Sequence, residues 1–228
     1  VTAGTLNAAI EQSGSIKAGC GTVILTAKAA DNLSVSVINH TGVTDASSLD
    51  QITGGGSLKL TADTISHSGS LKANGGGQIN IEAALYNDSG ISSVDGDIAG
   101  RIAIKATQIL QAAQAQLSAS GDVGGKIELI GGDGNNNGSA FISGAMIATG
   151  RRKGGQIALT AATLTLSGAR TDTSGDAAGT QRIGGGSQGQ DADLANAQNT
   201  TVTDSTLTNK GTGGKLIVWA SNDTAFNA

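Results

Sequence analysis

One phrase recurs along this chain: one or two glycines, strict apolar/polar alternation, then alanine. Gly55-Gly56-Ser57-Leu58-Lys59-Leu60-Thr61-Ala62, Gly76-Gly77-Gln78-Ile79-Asn80-Ile81-Glu82-Ala83 and Ala99-Gly100-Arg101-Ile102-Ala103-Ile104-Lys105-Ala106 are three successive copies. Alternation at period two marks a strand with one buried face. A strand this short cannot bury that face alone, so it has to stack on its own copies. The repeat therefore predicts an all-β solenoid.

Further copies lie at Gly21–Ala27, Gly124–Leu129, Gly154–Ala161 and Gly213–Ala220. The last glycine before each strand stands at 21, 56, 77, 100, 125, 155 and 214, giving intervals of 35, 21, 23, 25, 30 and 59 residues. The basic coil is thus a little over 20 residues, with loops enlarging the rest. A second register supports the first: Ser13-Gly14, Thr41-Gly42, Ser68-Gly69, Ser89-Gly90, Ser143-Gly144 and Ser167-Gly168 each precede a small or apolar segment. Glycine there is expected to supply a positive φ at a turn.

The inward set read from the alternation is Val23, Leu25, Leu58, Leu60, Ile79, Ile81, Ile102, Ile104, Ile127, Leu129, Ile157, Leu159, Leu216 and Val218. Lys59, Asn80, Ala103, Glu128 and Ala158 between them are expected on a solvated face, with Glu82 and Lys105 placed to pair. From Arg170 to Gly213 the pattern loosens into an irregular, looped stretch, within which Gln181–Asn199 is read as a loop or irregular coil projecting from an otherwise single β-helix segment spanning 1–228. Asp133–Gly138 is read as a smaller bulge.

Composition fits a narrow aliphatic core. There are 36 glycines, no proline and only four aromatic residues, Tyr86, Phe141, Trp219 and Phe226. A net charge of −4 gives no basic footprint for nucleic acid or anionic lipid. No apolar run approaches the roughly 20 residues that span a bilayer, so membrane insertion is not expected, and Val1–Ile10 does not read as a signal peptide.

Gly21-Thr22-Val23-Ile24-Leu25-Thr26-Ala27-Lys28-Ala29-Ala30-Asp31, leading to Val37-Ile38-Asn39-His40-Thr41-Gly42-Val43, resembles the large exoproteins related to filamentous haemagglutinin. So does the tail from Ile183-Gly184-Gly185 through Ala195-Asn196-Ala197-Gln198 to Gly214-Lys215-Leu216-Ile217-Val218-Trp219-Ala220. The resemblance implies a right-handed parallel β-helix, here of about ten coils and roughly 50 Å at the spacing of stacked strands. It also implies a bacterial surface or extracellular location, export by the two-partner route, and a structural or adhesive role in a fibre or filament. The family's N-terminal secretion domain has no counterpart in these residues.

The resemblance brings no catalytic residues and no cofactor. Partners are expected to be copies of the chain or flanking β-helix, and a host or cell-surface receptor or glycan. Neither end carries a charged or helical cap, so continuation into a longer β-helix or head-to-tail assembly is expected.

Two other classes compete. A carbohydrate-binding or polysaccharide-degrading β-helix would, if catalytic, need clustered carboxylates on one face; Asp88, Asp97, Asp122, Asp133 and Asp176 instead sit beside turn residues. An ice-binding solenoid would need a Thr-x-Thr pair in every coil, whereas Thr163/Thr165, Thr171/Thr173, Thr201/Thr203 and Thr206/Thr208 cluster late.

Particular residues carry further expectations. Aligned on the turn glycines, His40, His67 and Asp88 form one column, within reach of a shared cation if adjacent but read chiefly as a solvated turn column beside Asn39, Ser66 and Asn87. Gly131-Gly132-Asp133-Gly134-Asn135-Asn136 resembles half a Ca²⁺-binding repeat and is read as a turn. Six Asn-x-Ser/Thr sequons, at Asn32, Asn39, Asn87, Asn137, Asn199 and Asn222, are possible glycosylation sites. Cys20 is read as a small residue at a tight turn, with an intermolecular thiol as the alternative.

Overall fold

A computed structural model describes residues 9–29, 35–48, 54–132 and 137–227. The chain winds as a parallel β-solenoid of about eight turns, close to 40 Å of stacked strand at about 4.8 Å per coil. Each coil visits three faces in order, as in Ser57–Thr61, Thr64–His67 and Ser70–Lys72. The first two faces form one 15-stranded sheet, because Gln78–Asp88 and Arg101–Gln111 run unbroken across both. The third face is an 8-stranded sheet, and Gly96–Ile98, Gly121–Val123 and Gly150–Lys153 close the middle coils as a 3-stranded one.

The expected inward register is the observed one. Leu58, Ile79, Ile102, Ile127 and Ile157 stack as one row and Leu60, Ile81, Ile104, Leu129 and Leu159 as the next, all buried. Burying each such side chain stabilises by roughly 1.5–3 kcal/mol. Val23, Leu25 and Val218 are partly buried, and Leu216 is exposed because no described strand lies on its far side.

Among the described residues fewer coils are present than the repeat arithmetic suggests, since the 35-residue interval is a single enlarged coil. Val23 pairs directly with Leu58 across the 35-residue interval. The 59-residue interval hides one coil, at Thr180–Ile183, whose inward residue is Gln181 where its neighbours have Ile157 and Leu216. Gln181 is fully buried yet satisfied: its Oε1 accepts from the Thr171 hydroxyl at 2.6 Å and its Nε2 donates to Thr173 Oγ1 at 3.2 Å.

The glycines before the strands are explained by stacking. At Gly56, Gly77, Gly100, Gly125, Gly155 and Gly179 a Cβ would come within 1.9–2.4 Å of the carbonyl oxygen of the equivalent glycine one coil earlier. At Gly42, Gly69, Gly90 and Gly144 the second register has the same cause, which corrects the expectation of positive φ. Of its six glycines only Gly168 has one (φ 69°). A Cβ at Gly42 would lie 2.1 Å from Gly14 O, and one at Gly69 would lie 2.1 Å from Gly42 O.

Three surface expectations are also corrected. Ala103, Glu128 and Ala158 point outward but are buried. The segment 184–198 folds back over this face instead of projecting: Thr160 donates to Ala195 O at 2.6 Å, Arg182 pairs with Asp191, and Leu194 is buried. On either side of it Arg170–Asp172, Asn199–Thr203 and Thr206–Thr208 keep the coil regular. Glu128 is gripped by Arg101 and by Lys126 at 3.2 Å. Burial would raise its carboxyl, but those bonds outweigh burial and hold it below the ordinary range. Glu82 pairs with Lys59 at 3.4 Å and not with Lys105; being exposed, that pair contributes little.

Candidate functional site

On the second face, strand phase decides which side chains enter the core. In Val37–His40 the buried positions are Ile38 and His40, in Thr64–His67 they are Ile65 and His67, and in the long strand they include Tyr86 and Asp88. His40 pairs in register with His67, and His67 with Asp88. The column is therefore real, but it is buried at 0–2 % exposure and is not the solvated turn column expected. Gln12 precedes it and Gln111 follows it in the same row, both buried.

Within the row the groups bond mainly one another. The Asp88 carboxylate accepts from His67 Nδ1 at 3.0 Å, from the backbone N–H of Gly90 at 3.2 Å and from Gln111 Nε2 at 3.4 Å. The Tyr86 hydroxyl lies 3.4 Å from His67 Nδ1, and burial followed by the Asp88 charge raises its pKa well above that of free tyrosine. His40 Nε2 meets Thr44 Oγ1 at 2.9 Å, and the two imidazole centroids are 5.2 Å apart. Burial, reinforced by neighbouring His67, lowers the His40 pKa to about 4. Among the described residues, five buried atoms here have no partner: Gln12 Oε1, His40 Nδ1, His67 Nε2, Ser92 Oγ and Gln111 Oε1. Among the described residues no three His, Cys, Asp or Glu groups converge on a metal position.

Immediately outside this row runs a second one. Glu11, Asn39, Ser66, Asn87, Leu110 and Phe141 are successive register partners pointing outward. With the hydroxyls of Thr41, Ser68, Ser89 and Ser143 at the adjoining corner, they line a groove of about 520 Å³ whose floor includes His67, Asp88 and Gln111. Asn39 Nδ2 donates to Glu11 Oε1 at 2.6 Å. Leu110 is 39 % and Phe141 44 % exposed.

No protein-family model, curated protein or solved structure matches this chain. The geometry alone speaks for the site.

The remaining expectations fall elsewhere. Asn39 and Asn87 stand in the groove row, Asn137, Asn199 and Asn222 are exposed, and Asn32 lies outside the described residues, as do Asp133, Gly134, Asn135 and Asn136 of the half-repeat. Cys20 is exposed at φ 57°, a glycine-like conformation, and its thiol donates to Ser48 Oγ at 3.1 Å. Of the threonine pairs, Thr165 and Thr201 stack outward on neighbouring strands, whereas Thr171 and Thr173 turn into the core. Asp122 is held by Arg151 and Arg152, and Asp88 is a core residue and not a turn acid. Gln12, Thr44 and Gln111 escaped sequence reading; their shared phase with Ile10, Leu71 and Ile109 is the signal that marks them.

Proposed function

We propose that this chain is a structural segment of an extracellular bacterial fibre of the surface-adhesin type, non-catalytic and able to continue by coil-on-coil stacking. The observation that carries this reading is the uninterrupted in-register stacking of the first face from Thr22–Thr26 to Lys215–Val218. Such stacking builds a rod whose length grows by repetition and whose sides present parallel rows of side chains. The resemblance of its sequence to filamentous-haemagglutinin-like exoproteins points the same way.

Immunogold electron microscopy of intact source cells, with antibody raised against this chain, tests the proposal. Gold along thin filaments outside the envelope is the expected result. Gold confined to the cell interior, seen only after permeabilisation, overturns it.

A further inference from the structure

We propose that the groove along the Asn39–Phe141 row binds a neutral, linear, β-linked glycan lying parallel to the solenoid axis. The groups lining it are suited to sugar. Ser66 and Asn87 point outward with no hydrogen-bond partner for their side chains among the described residues, and the same holds for Thr41 and Ser68 at the corner. Hydroxyls and amides in a row give each sugar both donors and acceptors. At one end the exposed Phe141 ring, 44 % accessible beside Leu110, offers an apolar face on which the C–H side of a pyranose can lie.

Spacing separates this occupant from others. From Glu11 to Phe141 the row takes five steps between register partners, each about 4.8 Å, so the row is about 24 Å long. Sugars in an extended β-linked chain advance by nearly the same step, so about five would each lie beside one coil of the row. Same-side residues of an extended peptide repeat at about 6.6–6.8 Å and fall out of step. Charge narrows the class: among the described residues no Lys or Arg lines the groove, and its outward charge is Glu11, so a sulfated or uronate polymer has no counter-charge there.

This inference does not rest on the fibre reading, because the groove belongs to the fold wherever the protein resides. Asn39 and Asn87 are also sequon residues, so the test uses protein whose mass shows both unmodified.

Isothermal titration with cellulose and chitin oligosaccharides of one to six sugars, and with heparin-derived and polyuronate fragments beside them, is the experiment. Affinity is expected to rise with length and level off near five. Asn87→Ala and Phe141→Ala, both outward substitutions, should each weaken pentasaccharide binding at least tenfold without lowering the melting temperature. Ser66→Trp should block it, and Asn80→Ala on the first face should leave it unchanged. Absence of binding by every oligosaccharide overturns the proposal. So does binding that survives both Ser66→Trp and Phe141→Ala, or binding confined to heparin-derived or polyuronate fragments.

Discussion

His40 is neutral at neutral pH because it has exchanged water for a core. Its folded pKa of about 4 lies below the unfolded value of 6.5, so at low pH the unfolded chain binds the extra proton. Its penalty is absent above pH 6.5, grows as pH falls through that value, and is complete near pH 4. A shift of this size corresponds to at most about 3 kcal/mol. Urea titrations at pH 7.5 and 4.5 should show stability falling, and His40→Leu should flatten the part of that fall that belongs to this imidazole. An unchanged pH dependence in His40→Leu would place the acid sensitivity elsewhere. Glycines make a second residue-scale contrast. Gly14→Ala meets nothing within 4 Å, so it should be neutral or stabilise by up to about 1 kcal/mol. Gly42→Ala drives a Cβ to 2.1 Å from Gly14 O and should cost about 1–3 kcal/mol or more. Thermal melts of the two variants decide it.

At the scale of the strand, the aliphatic rows tolerate no charge. Ile104 is buried between Ile81 and Leu129. Ile104→Asp puts an unpaired carboxylate into that row and should destabilise by several kcal/mol, about 3–5 or more. A variant that melts with the parent would show the inward register to be wrong. That register was legible because two independent signals, the glycine before the strand and the alternation within it, agree in most first-face strands. Thr180–Ile183 was not legible, since inward Gln181 breaks the alternation and its compensating partners, Thr171 and Thr173, come from a different face. The burial of Glu128 was equally hidden, because Arg101 and Lys126 fold onto it, and so was the cover that segment 184–198 lays from far along the chain beside Thr160 and Arg182. The histidine column was half legible: aligning turn glycines gave the adjacency of His40, His67 and Asp88, but their side of the sheet follows from phase with Ile38, Ile65 and Tyr86.

For the molecule as a whole, the strand hydrogen bonds run along the solenoid axis, and this sets how the rod answers a pull. Tension between its ends loads those bonds in line, a few at a time, so the rod should yield by peeling one coil after another and not by shearing at once. Equivalent inward residues are 21 apart from Leu58 to Ile79 and 35 apart from Gln181 to Leu216. Each coil let go should therefore lengthen the tether by about 70–120 Å, at about 3.3–3.6 Å per freed residue. In an optical trap the trace should be a staircase of such steps at modest force, each reversible on relaxation, and a single all-or-none rip would contradict it. A rod built this way is an extensible spring: it can give ground under a passing load, absorb work, and rewind onto the coil beneath.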